Sequence, residues 1–347
     1  MRVSRQERDS ALAMEPLRPA GPAEGFVGST LHAIKDVFDH RELLGLLTRR
    51  EIKARYKDSA LGLIWILIRP IVQLLVYWVA LGQFMGMMRA IPEFAVFIFT
   101  GLTIWQLFTD IVTQGTNTIV ANAGLIKKVY VPREIFPLST IGSALFNFGM
   151  QMVVLILFLG LRSAQLSARH GEGVNLFPLG SRWIYGVLAL LLTLLWAGAL
   201  ALLLSAINVY LRDTQWLVEI SMMVLFWASP TVYALRMVTD QVGGWLLQVY
   251  LANPMTMAVL GFQRAFWVPG DGFDTPGTVC REVTTYDAGG LVEAAQVCEP
   301  GRVVFGPTAY PGNMMLRLGI MIAICTVLLW GAHRVFARLQ ANFAQEL

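Results

Sequence analysis

Charge is what this sequence has least of: only 14% of its 347 residues are charged, against 56% hydrophobic. A soluble domain carries nearer about a quarter charged residues, so the balance excludes water as the main solvent and implies a lipid bilayer. The net charge is +4 and no dense Lys/Arg stripe accompanies it, which argues against a nucleic-acid partner. Cysteine is scarce, and three are too few for a disulfide framework. The lysines are Lys35, Lys53, Lys57, Lys127 and Lys128, and none follows a glycine. A P-loop sets Gly before its Lys so that backbone N–H groups and the ammonium surround the phosphates; the chain therefore lacks that means of binding ATP. His32, His40, His170 and His333 show no metal-ligand spacing, so no metal site is expected. No Gly-x-Ser-x-Gly elbow and no Cys/His pair is present for nucleophilic catalysis. Residues 1–30 contain no apolar core of leader length and read as a disordered cytosolic tail.

What the chain has is long apolar runs. A membrane span needs roughly 20 apolar residues. Candidate spans lie near 62–84, 94–114, 138–161, 184–208, 215–235 and 313–333. The stretches 244–252 and 255–267 are apolar but half that length, which suits re-entrant or interfacial segments. The expected fold is an all-α membrane protein with six transmembrane helices over residues 61–335, followed by a tail at 336–347. Lys and Arg set the orientation. Arg49, Arg50, Lys53, Arg55 and Lys57 precede the first span, Lys127, Lys128 and Arg133 follow the second, and Arg334 and Arg338 follow the last. With six spans these fall on one side, so both termini are expected in the cytosol; Arg162, Arg169 and Arg182 argue the other way.

Residues 31–60 form a separate element. Ile34, Val37, Phe38, Leu44 and Leu47 recur at helical spacing among charges, predicting an amphipathic helix on the membrane surface. Thr48 and Glu51 have capping-box spacing, so a second short helix is expected to begin there. Arg69 and Glu219 stand out as charges inside expected spans. Both lie near a cytosolic end where snorkelling is cheap, which leaves structural and functional roles open. Pro70 and Pro230 are expected to bend the first and fifth spans.

The run from Arg55 to Gly62, followed by Trp65 and Pro70, resembles the start of the ABC-transporter permeases that export polysaccharides and teichoic acids. The resemblance continues with Asn122, the stretch Leu125 to Val129, and Pro132-Arg133-Glu134-Ile135-Phe136-Pro137. It recurs at Arg212-Asp213, at Ser229-Pro230 with Tyr233, and at Asn253-Pro254. It implies a homodimer with two separate ATP-binding cassette subunits that hold ATP and Mg, in the cytoplasmic membrane, and export of a lipid-linked glycopolymer such as an O-antigen. In such exporters the segment 115–133 docks on the ATPase; Asn122, Lys127, Lys128, Pro132 and Arg133 are the coupling candidates, with Asn117 or Asn122 expected to cap a short helix. Arg49, Arg50, Lys53, Arg55 and Lys57 would meet lipid headgroups, including a substrate pyrophosphate, or simply anchor the helix. Phe226, Trp227 and Tyr233 are the aromatic candidates for sugar contact, against ordinary packing. Residues 244–267 would form an external re-entrant gate with Asn253 and Pro254 at its turn and Arg264 nearby.

The loop 268–311 is longer than the family pattern, and Arg69 stands where a neutral polar residue is expected. The loop carries Asp271, Asp274, Glu282, Asp287, Glu293 and Glu299 against Arg281 and Arg302. On an external loop Cys280 and Cys298 would pair as a disulfide. Competing readings are a permease for a small drug or lipid, a polyprenyl-lipid transferase, and a scaffold.

Overall fold

The computed structural model describes residues 35–56, 64–91, 93–128, 131–170, 182–267, 274–286, 292–304 and 310–347. The 1–30 tail, Lys57, Gly62, Asp271 and Asp287 lie outside the described residues. Helix α1 covers Arg41–Tyr56. Helix α2 runs Trp65–Tyr77 and continues as a π-helix over Trp78–Phe84. Then follow α3 (Phe94–Ala121), α4 (Ala123–Ile126), α5 (Ile135–His170), α6 (Trp183–Tyr210) and α7 (Thr214–Trp227). Helices α8 (Gly244–Leu251) and α9 (Pro254–Phe266) precede strands β1 (Asp274–Tyr286) and β2 (Val292–Val304), and α10 covers Met314–Leu339.

Among the described residues, five helical segments are long and apolar enough to cross a membrane, and a bent helix pair brings the number to as many as six. The five are the segments built on α2, α3, α5, α6 and α10, in agreement with five of the expected spans. The fifth expected span differs. Helix α7 has 14 residues, so at 1.5 Å each it is about 21 Å long, too short to cross alone. It stops at Trp227 instead of bending at Pro230, because the chain turns at Ala228–Pro230 and the proline has no N–H to continue the helix. Pro70, in contrast, sits inside α2, which continues past it.

Two ends of the bundle can be told apart by contacts. Arg50 of α1 meets Asn122 at the end of α3, which places α1 at that end. At the other end Glu93, just before α3, pairs with Arg162 in α5 at 2.7 Å. Helix α9 runs antiparallel to α6: Gly186 faces Ala265 and Phe266, and Gly261, one turn deeper, faces Ala189. Gln248 in α8 accepts from Arg317 near the start of α10 at 3.1 Å. Both arms of the α8–α9 pair, bent by 78°, therefore rise to the end opposite α1, which is the re-entrant arrangement expected for 244–267.

The core is centred on α3, whose Ile98, Ile104, Phe108, Ile111 and Val112 have no exposed surface. Glycines permit its close neighbours. A Cβ at Gly115 would lie 2.5 Å from the Cβ of Ala201 on α6, and one at Gly101 would lie 2.5 Å from the carbonyl oxygen of Thr231. The expected 336–347 tail packs back on the bundle: Phe343 is fully buried, with its ring 5.6 Å from Phe336 and 6.3 Å from Tyr210.

One element was not anticipated. The loop between α9 and α10 holds an antiparallel hairpin of β1 and β2, with Cys280 directly opposite Cys298. Residues 268–311 were expected only as a long external loop; the strands have no clean alternation of apolar and polar residues to announce them.

Gly115→Val is expected to lower the stability of the α3–α6 interface by about 1–3 kcal/mol through overpacking. Gly149→Val, where nothing lies within 4 Å of the added Cβ, is the control. Thermal unfolding in detergent should separate the two, and equal midpoints would refute the packing assignment.

Candidate functional site

A cavity of about 430 Å³ opens between α1, α3 and α5. Arg50, Glu51 and Arg55 line it from α1, Thr113, Gln114 and Asn117 from α3, and Thr140 from α5. The guanidinium of Arg50 donates to the side-chain oxygen of Asn122. Arg55 donates to Ser143 at 3.2 Å. The Glu51 carboxylate accepts from Ser139 at 2.6 Å and from Ser143 at 3.1 Å. A helix with charges on the membrane surface is thus bolted to the bundle by charge-assisted bonds, which are stronger than neutral ones.

Helix α1 runs unbroken through Thr48, so no second helix starts there. Thr48 donates to the carbonyl of Leu44 at 2.9 Å and packs over Gly142, where a Cβ would clash at 2.9 Å. Glu51 turns to α5 rather than back to the α1 backbone, and this is why the capping box does not form. Arg49 and Lys53 remain exposed on the far face of α1. The sequence signal for a basic face was sound, but only Arg50 and Arg55 of those five turn into the cavity among the described residues.

The segment joining α3 to α5 is anchored at both ends. Asn122 is buried; its amide donates to the carbonyl of Thr118 at 2.8 Å, and its side chain makes no cap for α4. The expected capping role is replaced by the bond from Arg50. Lys127 and Lys128 are exposed, whereas Pro132 is buried and Arg133 lies over the Phe343 ring at 5.7 Å. Glu134, a residue the sequence reading quoted without assigning a role, is buried beside His333 at 3.9 Å and accepts from Gln340 at 3.2 Å. Its partners lie about 200 residues away, so no local pattern could reveal them.

At the opposite end Asn253 caps α9 by accepting from the Met255 N–H at 3.0 Å, with Pro254 at the first helical position. Asn253 also reaches Ser229 at 3.5 Å, joining the re-entrant turn to the break after α7. Arg264 lies over the Tyr185 ring at 4.3 Å. Phe226 is buried, 5.9 Å from Tyr77 and 5.5 Å from Trp105, so its faces are occupied by packing. Trp227 is exposed, and Tyr233 donates to its carbonyl at 2.7 Å. Arg69 and Glu219 are both exposed, on α2 and α7, and no contact in the described residues joins them.

The ABC-2 type transporter model matches residues 42–267, which is more than half the chain. The chain belongs to the ABC-2 type transporter family. An O-antigen export system permease protein RfbA of Myxococcus xanthus is 32% identical over 237 residues, covering 68% of this chain and 85% of that protein. An RfbA protein of Klebsiella pneumoniae is 27% identical over 225 residues, covering 65% and 80%. The polysialic acid transport protein KpsM of Escherichia coli is 26% identical over 224 residues, covering 64% and 79%. The β1–β2 hairpin and α10 lie beyond the residues that the family model matches.

One functional candidate escaped the sequence reading. Asp110 lies near the middle of α3 and in the last turn or so of the expected span 94–114, yet only Arg69 and Glu219 were singled out as membrane charges. Its oxygens accept from Gln106 at 2.8 Å and Asn147 at 3.4 Å. The signal was present as polar residues at helical spacing: Gln106, Asp110, Thr113, Gln114 and Asn117 share one face of α3.

Glu51→Ala should loosen the docking of α1, costing about 1–3 kcal/mol because Ser139 and Ser143 lose a charged acceptor. Faster amide exchange across Arg41–Tyr56 with unchanged exchange in α6 is the expected result. Uniform exchange in variant and parent would dismiss the bolt.

Proposed function

We propose that this chain is the membrane-spanning subunit of an ATP-driven exporter that moves a lipid-linked polysaccharide across the cytoplasmic membrane. The cavity beneath α1 carries the reading. Two guanidinium groups suit the diphosphate of a lipid carrier, and the amide and hydroxyl groups of Thr113, Gln114 and Asn117 suit sugar hydroxyls. Relatives named for O-antigen and polysialic acid export support a glycan as the cargo.

The chain works as a homodimer with two ATP-binding cassette subunits, on which ATP and Mg are bound. The α1 end faces the cytosol, as do both termini, in keeping with the excess of Lys and Arg there. The exposed Lys127 and Lys128 beside α4 meet acidic groups of the ATPase, and the anchored Asn122 and Glu134 carry its movement into α3, α5 and α10. Helices α8 and α9 gate the outer mouth, with Trp227 offered to sugar rings. The exposed apolar faces of α2 and α7, including Val72, Val76, Leu217 and Ile220, contact lipid or the second copy.

The hairpin then faces the outer compartment. Cys280 and Cys298 form a disulfide there: two thiols lose two protons and two electrons to a thiol-oxidising protein, and one S–S bond forms. Cysteines directly opposite on antiparallel strands are close enough for such a bond.

Two measurements test these assignments. The double variant Arg50→Gln/Arg55→Gln, reconstituted with its ATPase, should lose about tenfold or more of the ATPase stimulation by a polyprenyl-diphosphate-linked glycan. Full stimulation would remove the headgroup role, and a parent protein that never binds an ATPase would end the exporter reading. For the hairpin, alkylation without reductant should leave Cys280 and Cys298 unmodified in mass spectra, and reduction should expose both. Labelling of both before reduction would refute the bond.

A further inference from the structure

Asp110 has no counterpart charge in its own helix: it is the only charged residue between Phe94 and Ala121. From Ile135 to Leu161 helix α5 is also uncharged. A carboxylate at membrane depth is costly, and such groups face a bundle interior or a water-filled cavity rather than lipid. Asp110 is partly exposed on the surface of this subunit, and by that rule its open face belongs to a water-filled space rather than to lipid.

Its surroundings are polar on both α3 and α5. Asn147 and Gln151 follow one another by one turn on α5, opposite the Gln106–Asp110 turn of α3. The side-chain carbonyl oxygens of Gln114 and Gln151 are buried without a hydrogen-bond partner among the described residues. Gln151 is only 4% exposed. These two oxygens are enclosed by protein, so the acceptor that a passing chain can reach is the partly exposed carboxylate of Asp110. The stripe continues toward α1 through Gln114 to the cavity, and Asp110 lies twelve residues from Asn122, about 18 Å along the helix axis.

We propose that Asp110 selects the class of glycan carried: an uncharged, hydroxyl-rich chain donates to its carboxylate, whereas a polyanionic chain is repelled. This rests on the exporter reading and narrows it. Arg50 and Arg55 accept the diphosphate of the carrier at the cytosolic mouth. Beyond them the carboxylate stands alone, and in a medium of low polarity a like charge is strongly disfavoured. Lipid-linked chains built from neutral hexoses fit; chains bearing a uronic or sialic acid on every repeat do not.

The test uses the chain reconstituted with its ATPase in proteoliposomes. The probes are two polyprenyl-diphosphate-linked oligosaccharides, one of neutral hexoses and one with a uronic acid in each repeat. The parent complex is expected to move the neutral probe about tenfold or more faster than the uronate probe. Asp110→Asn, close to isosteric, should raise the uronate-to-neutral ratio about tenfold, and Asp110→Glu should restore discrimination. Equal rates for both probes in the parent overturn the selectivity while leaving export intact. A ratio unchanged in Asp110→Asn overturns the role of Asp110. Movement of neither probe by a complex that binds and hydrolyses ATP overturns the exporter reading itself.

Discussion

Hydrocarbon offers no hydrogen bonds, and that single deficit shapes the molecule from end to end. The backbone answers with long helices. Side-chain hydroxyls answer by turning back on their own helix, as Thr100 does to Val96 at 2.7 Å, Thr116 to Val112 at 2.7 Å and Thr193 to Ala189 at 2.8 Å. Where the chain breaks after α7, Gln263 donates to the freed Pro230 carbonyl at 2.9 Å, and the missing side chain of Gly101 lets α3 approach the Thr231 carbonyl. A break of this kind is tolerated because it is packed on protein. Among the buried side-chain oxygens left without a partner, those of Thr109 and Gln114 lie on α3 and that of Gln151 on α5.

The same deficit explains why the α1 end of the bundle is tightly knit. Helix α1 would be a loose amphipathic rod if its apolar side met only lipid. Instead Leu47 is buried, Thr48 fits over Gly142, and Glu51 ties the helix to α5. Arg50 extends the tie to Asn122, so α1 and the α3–α5 connection share one network. That connection is held again at Glu134 by the last helix. A push applied near α4 would therefore be felt by α1, α3, α5 and α10 together.

Much of this architecture was legible in the sequence because length and hydropathy are local properties. Five spans, the surface helix and the re-entrant pair follow from runs of apolar residues and their punctuation by charge, glycine and proline. Asn253-Pro254 is also local, a cap followed by a proline at the first helical turn, and it behaves as its chemistry predicts. Thr48 and Glu51 were misread for an equally physical reason: their spacing satisfies a capping box, but partners on α5 compete better for the same groups. The ring of Phe226 was a candidate wall residue by position in its helix, and only the approach of Tyr77 and Trp105 makes it core.

The sequence by itself determined the solvent and five of the membrane spans with their order, since each depends on composition within one segment. Tertiary structure alone decided which polar groups meet. The Arg50–Asn122 and Glu51–Ser139 bonds, the burial of Glu134 and Phe343, the register that sets Cys280 opposite Cys298, and the pairing of Asp110 with Asn147 join residues far apart in the chain. Pairings of that kind are fixed by how helices and strands pack against one another, and no periodicity within a single element encodes them.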